Sequence, residues 1–263
     1  TFDKHSINAT LLYTREKQTG DTTTADAEGF DVELLGYNNL GLGTTFKSNS
    51  SAWKETNVGM MGRLNYVYNN RYLLTGTVRR DGYSGFGTNN KYVTLPSLSL
   101  AWVASEEDFF PLKNTYMKLR LSYGYNGNQG IGRYASLARL SSGNYNYNDE
   151  RTVTLYPSAM ANENLKWEKT SSWNLGLDFG FLDSRINGSI ELYNAKTKDV
   201  LVRRTLPAIT SYSSVWTNLG GVKNKGIEID LNTVNVKTKD FVWNSGLTFS
   251  MNRDKITDLY GDG

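Results

Sequence analysis

Apolar and polar residues alternate along most of this chain with a period of two. Met117, Leu119, Leu121, Tyr123 and Tyr125 take every second place, and Lys118, Arg120, Ser122, Gly124 and Asn126 fill the places between. The split recurs as Trp173, Leu175, Leu177, Phe179 and Phe181 against Asn174, Gly176, Asp178 and Gly180. It recurs again where Phe241, Trp243, Ser245, Leu247, Phe249 and Met251 stand against Asn244, Gly246, Thr248, Ser250 and Asn252. Successive side chains of a strand point to opposite faces, so each segment predicts a strand with one apolar and one polar face. Nine such strands are predicted, at about 5–17, 56–68, 71–81, 93–104, 115–126, 165–182, 185–195, 217–235 and 241–256. The best helical candidate is the short acidic stretch 105–110.

The predicted connections alternate in length. Asn69-Asn70 and Asp183-Ser184 read as two-residue hairpin turns, 237–240 as another short one, and 105–114 as intermediate. Long polar loops are predicted at 18–55, 82–92, 127–164 and 196–216. Short turns on one side and long loops on the other form the pattern of an up-and-down transmembrane barrel. Aromatic residues mark the short side: Tyr66, Tyr68 and Tyr72, then Trp102, Phe109 and Phe110, then Phe179 and Phe181, then Phe241 and Trp243. Amphipathic rings favour the headgroup level of a bilayer and form girdles there. In the longest loop, Tyr145 and Tyr147 alternate with asparagines, a polar-aromatic surface suited to a sugar or peptide and equally to a solvated loop.

Composition narrows the chemistry. The 263 residues carry 29 Lys plus Arg against 26 Asp plus Glu, a net charge of +3, which is no nucleic-acid footprint. The absence of cysteine excludes thiol nucleophiles, disulfides and cysteine-based zinc sites. With His5 as the single histidine, a two-histidine metal site is impossible, and no G-x-S-x-G elbow accompanies it. Gly127-Asn128-Gln129-Gly130-Ile131-Gly132 lacks the Lys-Ser/Thr tail of a phosphate loop. No enzyme site and no cofactor are expected. The mean hydropathy is negative, but a barrel strand averages its two faces, so this value does not argue for a soluble protein.

The polar faces hold Arg63, Arg79, Arg120, Asp178, Glu191, Glu228 and Asp230. Asp178 and Glu191 superficially resemble a glycosidase pair; in a barrel all seven are expected to line the pore. Charges are expected to be nearly absent from the apolar face, where each would cost about 2–4 kcal/mol at mid-bilayer.

Several stretches resemble, in order, the SusC/RagA family of TonB-linked outer-membrane proteins of Bacteroidota. Arg71-Tyr72-Leu73-Leu74 with Arg79-Arg80-Asp81-Gly82 is similar to the family's strand and R-R-D-G-S-S-R-F-G loop, although Tyr83 and Gly85 depart from it. The segment from Leu95 to Trp102 resembles the next strand, and Ser105-Glu106-Glu107 its exit. Gly127-Asn128-Gln129 with Ile131-Gly132, Asn164-Leu165-Lys166-Trp167-Glu168, and Tyr193-Asn194 with Lys196-Thr197-Lys198-Asp199 follow. Thr217-Asn218 and Asn224-Lys225-Gly226-Ile227-Glu228 complete the series.

The resemblance implies import of glycans or peptides across the outer membrane. It also implies energy from TonB and a SusD-like surface lipoprotein as a lid. An all-β, antiparallel fold is expected, the nine strands being part of a barrel of about 22. The chain reads as an internal portion of such a barrel, because nothing in it resembles the family's plug or TonB-contacting segment. Two other readings remain open from the residues alone: a soluble β-sandwich that binds glycans, and a passive porin.

Overall fold

A computed structural model describes residues 3–31, 33–112 and 114–259. Val32 and Lys113, inside two of the predicted connections, lie outside them. The strands are β1 (His5–Glu28), β2 (Thr45–Tyr68), β3 (Tyr72–Tyr83), β4 (Tyr92–Val103), β5 (Tyr116–Asn128), β6 (Arg139–Tyr147) and β7 (Glu150–Ala159). They continue with β8 (Glu168–Phe181), β9 (Ile186–Lys198), β10 (Leu201–Thr205), β11 (Ser214–Asn218), β12 (Gly221–Lys237) and β13 (Val242–Asp258). Among the described residues the helical pieces are short 3-10 turns such as Ala104–Glu106.

Nine strands form one sheet in the order β1-β2-β3-β4-β5-β8-β9-β12-β13. Every pairing within it is antiparallel. The sheet is therefore an up-and-down meander, and the sequence-derived count of nine holds. The remaining four strands pair as two separate hairpins, β6-β7 and β10-β11, inside what read as loops.

Register shows that the alternation is continuous across strands. Leu74 opposes Leu100, which opposes Leu121; Leu121 opposes Leu175, which opposes Leu192, which opposes Ile227. Partners in register share a face, so one side of the sheet is a band of aliphatic and aromatic groups. That band is uncovered: Leu64, Leu98, Leu121 and Phe249 are each about half exposed. A soluble sheet packs such a face on a second layer, and no second sheet covers this one among the described residues. An exposed apolar band of this extent is a lipid-facing surface or an interface.

A tight turn forms at Asn69-Asn70, both left-handed (φ 50 and 55) and closed by the Arg71 N–H on the Tyr68 carbonyl at 3.0 Å, but Tyr68 pairs with Tyr72, so three residues join the strands where two were predicted. The second turn is longer than the predicted Asp183-Ser184. Strand β8 stops at Phe181, and Leu182, Asp183 and Ser184 all take positive φ before β9 begins. The predicted loop 18–55 is mostly strand: β1 and β2 stay paired from Gln18↔Glu55 out to Glu28↔Thr45, beyond the last β2–β3 pair at Asn57↔Tyr83. Polar residues on both faces hid this extension, because Thr, Ser and Asp carry no hydrophobic period.

The buried core lies at the long-loop end. Tyr83, Phe86, Val93, Leu95, Ile131, Ala135, Leu165 and Trp167 form one cluster, with Phe86 and Leu165 almost fully enclosed. Loop residue Phe86 packs on Trp167 at 4.8 Å between ring centroids. Gly87 is obligatory here: its N–H donates to the Leu165 carbonyl at 3.0 Å, and a Cβ would collide with the Glu163 carbonyl. The opposite end is aromatic and open. Tyr68 lies 6.3 Å from Tyr72, Trp102 6.4 Å from Phe109 and Phe179 5.7 Å from Phe181. These are the rings expected at the short turns, and they sit together at that end.

Candidate functional site

All seven sequence-predicted ionisable residues lie on the face opposite the apolar band. Arg120 opposes Gly176, Gly176 opposes Glu191, and Glu191 opposes Glu228, so this row crosses four strands. Asp178 and Asp230 stand one residue pair further along, both opposite Ser189.

Three of the seven are brought into one network. Arg120 donates from Nε to Asp178 Oδ2 at 2.9 Å and from Nη2 to Asp178 Oδ1 at 2.7 Å. The same Nη2 donates to Glu191 Oε1 at 2.8 Å, and Asn174 Nδ2 donates to Glu191 Oε2 at 2.9 Å. A planar guanidinium suits this two-carboxylate bridge, which the point charge of a lysine does not reproduce. Gly176 makes room for it, because a Cβ there would stand 2.9 Å from Arg120 Cζ.

The other four are dispersed. Arg63 Nε donates to Thr77 Oγ1 at 3.2 Å. Arg79 Nε donates to both oxygens of Asp81, at 2.9 and 2.7 Å. Asp230 accepts from Asn232 Nδ2 at 2.6 Å. Glu228 and Asp230, with Glu191, Ser189, Thr248 and Ser250, border an open depression of about 250 Å3. Tyr145 and Tyr147 stand apart from all of these on β6, exposed, with ring centroids 6.5 Å apart.

A second depression of about 370 Å3 lies on the polar face near the long-loop end, between Thr14, Glu16, Asn57, Gly59, the Arg79–Asp81 pair, Gln129 and Trp167. Asn57 Oδ1 is buried beside it with no hydrogen-bond partner among the described residues. Sequence reasoning named Arg79 and missed the rest of this group, since Thr, Asn and Gln in a strand carry no signal until their register is known.

Two of the stretches that carried the family resemblance, 164–168 and Thr217-Asn218, prove to belong to a clamp between loops. Asn218 Nδ2 donates to the carbonyls of Lys166 (2.7 Å) and Asp199 (2.9 Å), and Lys166 N–H returns a bond to Asn218 Oδ1 at 2.9 Å. Asn162 Nδ2 donates to the Trp216 carbonyl at 2.9 Å, and Trp167 Nε1 donates to the Lys91 carbonyl at 3.1 Å. Arg133 pairs with Glu55 at 2.7 Å and lies 3.4 Å over the Trp53 ring, tying the 127–164 connection to the projecting β1–β2 hairpin.

At the short-turn end Glu107 is the hub. It accepts from Tyr72 Oη, from Trp102 Nε1 at 3.0 Å and from Arg71 Nη1 at 3.0 Å, and Arg71 also reaches Asp108 at 3.2 Å. The Tyr72 hydroxyl, then the Trp102 indole and the Arg71 charge, hold the Glu107 carboxyl below its ordinary pKa.

Comparisons with known proteins agree with this architecture. A family model described as TonB dependent receptor-like, beta-barrel, matches residues 3–263. The chain is 37% identical over 262 residues to TonB-dependent receptor P3 of Formosa agariphila, covering 98% of this chain and 26% of that protein. It is 42% identical over 218 residues to TonB-dependent receptor SusC of Bacteroides thetaiotaomicron, covering 80% of this chain and 22% of that protein. Among solved structures, the RagAB peptide transporter superposes with a TM-score of 0.89 at 27% identity, over 98% of this chain and 29% of that one. The chain thus spans about a quarter of the length of these curated relatives.

Proposed function

This chain belongs to the TonB-dependent receptor-like β-barrel family of the outer membrane, and from that premise we propose that it supplies part of the wall and outer loops of a nutrient importer. The observation that carries the reading is the two-faced sheet. Its apolar band faces lipid, and its charged face, with the Arg120–Asp178–Glu191 network, lines the lumen. Strands β1 and β13 each leave one edge unpaired within the sheet. In lipid every unsatisfied backbone group costs several kcal/mol, so these edges pair with further strands of a longer polypeptide. A plug and a TonB-contacting segment belong to that longer protein, and energy for import comes through TonB.

The cargo is a glycan or a peptide, as the family resemblance of the sequence implies, and the superposition on the RagAB peptide transporter supports the peptide. A SusD-like lipoprotein covers the long-loop end. The depression beside Asn57 and the exposed Tyr145–Tyr147 rings are the chain's own candidate cargo contacts. No catalytic role is assigned. Asp178 and Glu191 are both engaged as acceptors of Arg120, whereas glycoside hydrolysis needs one carboxyl held as a protonated acid.

Deleting the TonB-contacting segment of the full-length protein tests this reading against a passive porin. Loss of uptake supports energised import, and unchanged uptake would establish simple diffusion. Within the importer, Asn57→Ala removes an acceptor that bonds nothing among the described residues. It is expected to leave barrel stability unchanged while slowing uptake, and unchanged uptake would remove Asn57 from the cargo path.

A further inference from the structure

The apolar face is free of charge only within the band. Above it, toward the long-loop end, the same face becomes basic on four consecutive strands. Lys225 stands opposite Arg253, Lys223 opposite both Lys196 and Lys255, and Lys169 opposite Lys198. The register is unbroken from the apolar rows, where Leu192 opposes Ile227 and Ile227 opposes Met251, so these cations project outward like the groups beneath them. All seven are exposed, and among the described residues none is in an ion pair or a side-chain hydrogen bond. The neighbouring outward positions Ser171, Asn194 and Gly221 are uncharged, and Asp258, opposite Gly221, puts one carboxylate at the upper edge of the patch against the seven cations.

This arrangement is unfavourable on its own terms. Like charges directly opposite one another in an antiparallel pair repel, and here four such pairs adjoin. One carboxylate at the edge does not balance seven cations, so most of their counter-charge must come from outside the chain. The height of the patch identifies it. From Trp243 to Met251 the outward residues of β13 span about 27 Å along the strand at ~3.4 Å per residue. A strand tilt of roughly 40° projects this onto about 20 Å, close to the ~25 Å of a barrel's apolar band. Arg253 and Lys225 follow directly, at the level of the outer leaflet's headgroups.

We propose that this basic patch on β8, β9, β12 and β13 binds the phosphate groups of an anionic lipid of the outer leaflet. A phosphate oxygen accepts charge-assisted hydrogen bonds from several ammonium groups at once, and such headgroups lie where the patch is. The inference rests on the lipid-facing reading of the apolar band and adds to it a definite headgroup chemistry.

The test uses the full-length protein, stripped of lipid in a neutral detergent. Native mass spectrometry follows adducts with lipid A, with the same lipid after enzymatic dephosphorylation, and with inorganic phosphate. Phosphorylated lipid A is expected to bind and the dephosphorylated form to bind weakly. Replacing Lys196, Lys198, Lys223 and Lys225 together by glutamine is expected to reduce binding about tenfold or more, and replacing them by arginine to preserve it. Heat-dependent gel mobility confirms that each variant is a folded barrel. Equal binding of the dephosphorylated lipid, or unaltered binding by the glutamine variant, would overturn the proposal. Equal occupancy by inorganic phosphate would also overturn it, as a free-ion site. A protein that fails to partition into membranes at all would instead overturn the barrel reading beneath it.

Discussion

At the residue scale, the charged side of the sheet is organised by one guanidinium. Arg120 holds two carboxylates from two neighbouring strands, and the close approach of its side chain depends on Gly176 having none. Gly176→Ala is therefore expected to push Arg120 off one carboxylate and to destabilise the full-length barrel by about 1–3 kcal/mol. Gly76→Ala is the control, since a Cβ at Gly76 has nothing within 4 Å. The midpoint of heat-dependent gel mobility reads both, and equal midpoints would show that the network adds nothing. The sequence placed Arg120, Asp178 and Glu191 correctly on the polar face, because period-two alternation decides the face. It could not bring them together, since the contact is set by register between strands far apart in sequence.

At the element scale, the two ends of the sheet are held differently. The short-turn end uses Glu107, whose folded pKa is lowered by its donors. A carboxyl with a lowered folded pKa contributes stability that is present above its ordinary value and lost as pH falls through the folded value. Amide protection around 103–110, corrected for intrinsic exchange, is expected to fall on acidification in the parent protein. In Glu107→Gln it should be lower from the start and insensitive to pH; a pH-dependent variant would discount the carboxylate.

The long-loop end uses packing instead. Trp167 is 4% exposed, inside a cluster drawn from three loop-bearing regions. Trp167→Ala is expected to open the 84–91 and 127–164 connections to protease while the paired strands remain protected, consistent with the ~3–5 kcal/mol cost of emptying such a site. Cleavage no faster than in the parent would place the clamp elsewhere. These features explain what alternation missed. The β1–β2 extension and the hairpins β6–β7 and β10–β11 are polar or irregular in pattern, and the Asn218 and Trp167 clamps are non-local. The main strands were legible because one face of each must be apolar in lipid.

At the scale of the whole molecule, the chain is a wall section with an uncovered apolar band, a charged opposite face and a clamped loop end. The band and the charged face give the family assignment physical content, because a soluble module would bury the first and a catalyst would leave the second open to its substrate. These 263 residues contain no cysteine, so single cysteines placed among them, in a full-length protein whose other cysteines are replaced, allow a direct measurement within outer membranes. Single cysteines at Asn174, Asp178 and Ser189 report the charged face, and those at Leu175, Leu177 and Ile190 report the band. A water-soluble maleimide small enough to enter the lumen is expected to label the first three and spare the second three. Equal labelling of both sets, or labelling of the band alone, would contradict a sheet with one face in lipid and the other in the lumen.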